Sequence, residues 1–177
     1  QFSLCIQALK QINPPVTIEV LTPDFQGRLS NVDIVLSAQP DVFGHNIETV
    51  ERLYDVLRDR ASYTRSMSLL EYVKSTSPRT IVKSGIMVGL GEKDEEVKKT
   101  LRDLSTAGCD IVMIGQYLRP SLRHYPVHHY FEPSFFEELS GYARELGMVA
   151  IGGPKVRSSY RAADAYQEAN LRRQLCV

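Results

Sequence analysis

Apolar positions recur along this chain with two alternating periods, and the switches between them divide it into strands and helices. "VTIEVLTPDF" is β-branched and apolar, which predicts a strand over residues 16–21. "LSNVDIVLSAQ" predicts a short helix, and "PDVFGHN" a short strand ending at His45 and Asn46. "IETVERLYDVLRD" sets Ile47, Val50, Leu53, Tyr54 and Leu57 at helical spacing, so it predicts an amphipathic helix. "YTRSMSLLEYVKSTSP" predicts another, stopped before Pro78. The clearest strand, "TIVKSGIMV", covers residues 80–88. A helix follows in "KDEEVKKTLRDLSTAG", with acids in its first turn and Gly108 at its end. "CDIVMIGQYL" and "MVAIGG" are further strands. Between them "PSFFEELSGYARELG" is a helix entered near Pro133 and left at Gly147. "SYRAADAYQEANLRRQL" is the last helix. The opening "QFSLCIQALKQINPP" reads as a helix entered part-way and ending at Asn13 and Pro14. With no initiator methionine, it predicts a chain that begins inside a larger fold.

Strands alternating with helices predict an α/β fold with a parallel sheet and helical crossovers. Four or five strands fit an open doubly wound sheet or the later part of a β/α barrel. In either, ligands bind at the carboxyl ends of the strands. The unusual residues stand there: "HN" at 45–46, "GLGE" at 89–92, "GQY" at 115–117 and "GGP" at 152–154. Composition narrows the field a little. The 177 residues suit one ordinary domain or part of a larger one, and 21 basic residues balance 21 acidic ones. That balance offers no electrostatic case for nucleic acid or an acidic membrane, and no apolar run is long enough to span a bilayer. Cys5, Cys109 and Cys176 are scattered and form no CxxC, so they are not a disulfide framework. Cys109 opens an apolar run and reads as a small buried hydrophobe. Cys176 reads as part of a frayed terminus.

Several stretches could carry chemistry. In "GIMVGLGEKDEEV", Glu92, Asp94, Glu95 and Glu96 crowd a helix N-terminus, which would repel a phosphate. Gly89 and Gly91 would let backbone approach a neutral or cationic ligand, or simply form a tight turn with acidic capping. His45, Asn46 and Glu48 together could grip a ribose or an amino acid group; equally, Asn46 could cap the following helix. The long polar stretch "GQYLRPSLRHYPVHHYFEP" holds Gln116, Tyr117, Arg119, Arg123, His124, His128 and His129, and long loops are often lids or binding loops. Its "HHY" lacks the partners and spacing of a zinc site. No Gly-x-Ser-x-Gly elbow appears. In "GGPKVRSSYRAAD", Ser158 or Ser159 read alone would cap the last helix.

Taken in order, "TIEVLTPDF", "DVFGHNIETV", "RASYTRSMSLL", "KSGIMVGLGE", "AGCDIVMIGQYLRPS", "RHYPVHHYFEP" and "GPKVRSSYRA" resemble the lipoyl synthase family of radical S-adenosylmethionine (SAM) enzymes. The resemblance covers nearly the whole chain. It implies the later part of a partial (β/α)6 barrel over residues 1–154, with a helical extension carrying "RSSY" over 155–177. It also implies two 4Fe–4S clusters. One cleaves SAM to a 5′-deoxyadenosyl radical; an auxiliary cluster is consumed as the sulfur source. Sulfur then enters at C6 and C8 of an octanoyl group held on a lysine of a lipoyl carrier domain or H protein, with electrons from a donor.

Carried onto this sequence, the resemblance makes Ser159 a ligand of the auxiliary cluster, an unusual oxygen among thiolates. Arg157 and Tyr160 would surround that ligand. Asn46, Glu48, Lys83, Met87, Gly89, Gln116 and Tyr117 would contact SAM, with Lys83 pointing to the barrel interior and a carboxylate. Arg119, Arg123 and His124 would lie near the substrate or its carrier. The sequence departs from the family in three ways. Neither the CxxxCxxC nor the second cysteine triad of the family is present, Lys155 replaces an apolar residue, and Gly44 replaces Asn or Ala. The resemblance therefore implies the C-terminal half to two-thirds of such an enzyme, which alone assembles neither cluster, is inactive and exposes a barrel edge that lowers its solubility. A split enzyme, or a homologue that only binds SAM or a lipoyl domain, is the alternative. Family members work in bacterial cytoplasm, mitochondria and plastids, and are mostly monomeric.

Overall fold

The computed structural model describes residues 1–12 and 14–175. The expected helix end at Asn13 and the frayed Cys176 lie outside the described residues. Five parallel strands form one sheet: β1 (Glu19–Leu21), β2 (Val42–Gly44), β3 (Ile81–Val88), β4 (Ile111–Gln116) and β5 (Val149–Gly153). Their spatial order is their chain order. Every crossover therefore steps one strand in the same direction, as in a barrel wall. A doubly wound sheet would reverse direction at a switch point, so that alternative is excluded. The helices are α1 (Phe2–Leu9), α2 (Leu29–Ser37), α3 (Tyr54–Leu57), α4 (Tyr63–Thr76), α5 (Asp94–Thr106), α6 (Pro133–Glu145) and α7 (Ala162–Leu175). None is long and apolar enough to cross a membrane.

Both faces of the sheet are covered over β2 to β4, which is why those strands read as near-continuous apolar runs. On one face Phe43, Val82, Ile86, Val112 and Ile114 pack with Leu70 of α4, Leu101 of α5 and Phe136 of α6. On the other, Val42, Ile81, Ile111, Met113 and Val149 pack with Ala165 and Ala169 of α7. The last helix thus lies alone across the face opposite the other large helices. Its far end is fastened by Arg173, whose guanidinium donates to Asp110 at 2.6 Å and to the carbonyls of Arg79 and Thr80 at 2.7 and 2.9 Å. Those residues stand at the amino ends of β3 and β4. The near end of α7, and the 155–161 segment before it, therefore lie towards the carboxyl ends.

Two expectations need correction. The strand expected over 16–21 pairs only from Glu19. The amphipathic helix expected from Ile47 to Asp59 does not form as one helix. Glu48 instead extends the sheet: its N–H donates to Gly85 O and its carbonyl accepts from Met87 N, both at 2.9 Å. A 3-10 turn at Glu51–Leu53 and the four-residue α3 follow. The periodic residues Ile47, Val50, Leu53 and Tyr54 are buried all the same. The pattern reported the buried side correctly, while pairing with β3 overrode the helical backbone.

Candidate functional site

Two cavities open at the carboxyl ends of the strands and share Glu48 and Met87 in their walls. The inner one, about 220 Å³, is also bordered by Asn46, Gly85, Gly115, Val156, Arg157 and Ser158. The outer one, about 390 Å³, is bordered by Thr49, Leu57, Arg58, Leu90, Tyr117 and His124. Glu48 has φ 68°, a left-handed backbone that a non-glycine residue adopts at a cost of about 1 kcal/mol. The bridge to β3 holds it there. Its carboxylate makes no hydrogen bond among the described residues. Beside it Thr49 is 1% exposed and its Oγ1 has no partner. The unengaged Glu48 carboxylate is a polar corner in a mostly apolar cavity.

The inner cavity depends on missing side chains. A Cβ on Gly85 would stand 3.0 Å from Asn46 Oδ1, and one on Gly115 would stand 2.6 Å from the Val156 carbonyl. Bare backbone on β3 and β4 thus admits Asn46 from one side and the 155–158 segment from the other. Asn46 Nδ2 donates to Ser158 Oγ at 3.0 Å. This decides two alternatives left open by the sequence. Asn46 is directed at Ser158 and caps no helix. At the start of α7 it is the carbonyl of Ser159, not its hydroxyl, that meets Ala162 N, at 3.3 Å. The Ser159 side chain is exposed and makes no hydrogen bond among the described residues.

Other expected residues are placed differently. Gly89 has φ 101°, and a Cβ there would stand 2.5 Å from the His129 carbonyl and clash with the Gln116 amide. Its bare backbone admits the protein's own loop, not a ligand. Gln116 is buried and lines neither cavity. Its Nε2 points at the carbonyls of Val88, Tyr117 and His129 at 3.0–3.1 Å, and its Oε1 accepts from Phe131 N at 3.1 Å. It stitches the long loop to the strand ends. Tyr117 faces the outer cavity and donates to the Tyr125 carbonyl at 2.8 Å. Arg119 is spent within the loop, donating to His124 O at 2.8 Å and Leu122 O at 2.5 Å. Arg119, Arg123 and Tyr160 border neither cavity; Arg157 borders the inner one and His124 the outer. Lys83 reaches a carboxylate as expected. That carboxylate is Glu19, at 2.8 and 2.9 Å, and the pair borders neither cavity.

The remaining polar residues have structural employment. Glu92 accepts from Gly89 N and Leu90 N at 2.6 and 2.8 Å, closing the glycine turn on itself. Glu96 reaches back to Lys93 N at 2.7 Å, and the Arg52 guanidinium holds its carboxyl at about 2. His45 is buried between the Thr22 carbonyl and the Ser66 hydroxyl, at 3.0 and 2.9 Å, and burial pushes its pKa down. It therefore braces the end of β2 and borders neither cavity. Burial pushes the Cys109 thiol up to about 12, which fits a core residue. Among the described residues no three His, Cys, Asp or Glu side chains are grouped to hold a metal ion. Thr49, Arg58 and Ser158 were not singled out as pocket residues from the sequence, because only the bridge at Glu48 and the approach of 155–158 bring them to the strand ends.

Residues 2–104 match the radical SAM superfamily. Over 167 residues the chain is 48% identical to the lipoyl synthase of Methanocella arvoryzae, covering 93% of this chain and 56% of that protein. It is 45% identical to the lipoyl synthase of Thermus thermophilus, covering 97% and 54%, and 45% identical to the mitochondrial lipoyl synthase of Schizosaccharomyces pombe, covering 96% and 46%. The chain thus spans about half the length of these relatives. Among solved structures, Streptococcus suis SuiB bound to S-adenosylmethionine superposes with a TM-score of 0.52 at 11% identity, covering 84% of this chain and 42% of that one. At that identity the likeness is one of fold.

Proposed function

Because the chain belongs to the radical SAM superfamily, we propose that it forms the SAM-holding and serine-bearing region of a lipoyl synthase, which inserts two sulfur atoms at C6 and C8 of an octanoyl group on a lipoyl carrier. One observation carries the reading: two cavities meet at Glu48 and Met87 on strand ends that also face the 155–161 segment. The level of identity to named lipoyl synthases supports it.

The residues present suit SAM. Glu48 offers an unengaged carboxylate to an ammonium or a ribose hydroxyl, and Asn46 offers its Oδ1. The bare backbone at Gly85 and Gly115 leaves room for the ligand's body. Met87 and Leu90 supply apolar wall. SAM with an iron–sulfur cluster, if bound here, would supply radical chemistry able to take hydrogen from unactivated carbon. The chain's part is to orient its ligands and to exclude water with the loop that Gln116 and Tyr117 anchor. Residues 1–154 are the barrel part and 155–177 the extension.

The residues do not supply the clusters' thiolates. Cys109 is sealed in the core, Cys5 is remote in sequence from any other cysteine, and no metal-holding group occurs among the described residues. Ser159 offers one oxygen and nothing more. On this reading the 177 residues alone assemble neither cluster, and thiolates reach the site from a cysteine-bearing segment or partner. Partners would be an octanoylated lipoyl domain or H protein and an electron donor. The test is anaerobic iron and sulfide analysis after reconstitution, on the chain alone and together with a cysteine-bearing N-terminal half. Loading of two clusters only in the combination, with one perturbed by Ser159→Ala, is the expected result. Full loading unaffected by Ser159→Ala would remove the ligand role. Full loading with no lipoylation would favour a binding-only homologue.

A further inference from the structure

Two adjacent serines of the same chemistry have different surroundings. Ser158 is half-buried, borders the inner cavity and accepts from Asn46 at 3.0 Å. Ser159 is exposed, with its hydroxyl unengaged among the described residues. The bond between Asn46 and Ser158 spans 112 residues of chain. It forms only because Gly85 leaves space for the Asn46 carboxamide and Gly115 for the Val156 carbonyl. Asn46 lies two residues before Glu48, which the bridge to β3 pins in place. Its Oδ1 has no partner among the described residues, so it faces the inner cavity with one hand occupied and one open.

Building on the SAM reading above, we propose that Ser158 is a positioning residue. Its bond to Asn46 clasps the 155–161 segment to the end of β2 and couples ligand binding at Asn46 and Glu48 to the orientation of Ser159. A donor that engages Asn46 Oδ1 polarises the amide and strengthens the bond from Nδ2 to Ser158, because linked hydrogen bonds reinforce one another. The coupling is reciprocal: ordering 155–161 favours the ligand at Asn46 by the same factor. Ser158 holds, and Ser159 is thereby presented.

Hydrogen–deuterium exchange on the holoenzyme, with SAM as the probe, tests this. In the wild type SAM slows exchange at residues 46–48 and 155–161 together. Ser158→Ala speeds baseline exchange over 155–161 by about fivefold, the factor of one modest hydrogen bond, and abolishes the effect of SAM there while protection at 46–48 persists. Ser158→Thr keeps the hydroxyl and restores the response, whereas Ser158→Val, of the same bulk without it, does not. That pair isolates the hydrogen bond from simple packing. SAM protection of 155–161 that is equal in Ser158→Thr and Ser158→Val overturns the coupling alone. A wild type in which SAM protects neither region overturns the SAM reading and the coupling with it.

Discussion

Lys83 and Glu19 form an ion pair whose two ends are unequally buried, with side-chain exposures of 3% and 25%. That inequality predicts an inequality of mutations. Glu19→Gln leaves an ammonium sealed against the sheet with an amide oxygen to donate to but no counter-charge in ion-pair reach among the described residues. Breaking a buried pair in this way costs about 3 kcal/mol, the low end of the usual range because Glu19 already meets water. Lys83→Met replaces the long side chain with an apolar one of similar volume and leaves a carboxylate that water can reach. Such a swap costs under about 1 kcal/mol. The double variant resembles Lys83→Met alone, since nothing remains to be stranded. Urea unfolding followed by circular dichroism reads the difference. With a slope of about 2 kcal/mol per M, Glu19→Gln lowers the midpoint by about 1.5 M and Lys83→Met by under about 0.5 M. Equal losses from the two single variants would refute the account of unequal burial. SAM affinity measured on Lys83→Met makes a second check: it stays unchanged if the lysine is structural, and falls if the lysine is a cofactor contact after all.

Gly115→Ala places a methyl group 2.6 Å from the Val156 carbonyl, so it destabilises by about 1–3 kcal/mol and speeds exchange over 155–158. Gly141→Ala, inside α6 with nothing within 4 Å of the new Cβ, stabilises by about 0.5–1 kcal/mol, and a lower urea midpoint for it would contradict the packing described. Glu48→Gly relieves the left-handed strain, so the unfolding midpoint holds or rises while SAM binding, read by calorimetry, is lost; retained binding would remove Glu48 from the site. Burial holds the His45 pKa below its ordinary 6.5. The unfolded chain therefore takes up a proton that the native one refuses as pH falls below 6.5, and stability declines there. His45→Gln flattens that decline, and an unchanged acid limb would assign it to other groups.

Most elements were legible because their residues obey one period throughout. Pro133 at the start of α6, Gly108 after α5 and the β-branched run of β3 all declare local structure that the tertiary fold leaves alone. The segment after His45 was misread because its helical periodicity is real and its backbone answers to something else. Two hydrogen bonds from β3 convert Glu48 into an extension of the sheet, and no local signal encodes a partner 38 residues away. The site followed the same division. Asn46 and Glu48 were singled out because strand ends are where ligands go, and Met87 through the family resemblance; all three border a cavity. Gln116, Gly89 and Arg119 stand in the right places, yet their polar groups or their space are taken up by the loop that folds back over them. Ser158 was not set apart from Ser159 because its partner Asn46 is 112 residues away and meets it only when the chain has closed.

That closure sets an order in time. A ribosome adds about 5–20 residues per second, so roughly 6–20 s separate the making of Asn46 from that of Ser158, 112 residues later. For that interval a nascent chain can own β1 to β4, with their helices, and still lack one wall of the inner cavity and the helix that covers the second face. The inner cavity is thus completed only after residues 156–158 have been made. A product cut short before residue 158 would keep β1 to β5 and lose one wall of the inner cavity, so that cavity attests that the strands before it have been made.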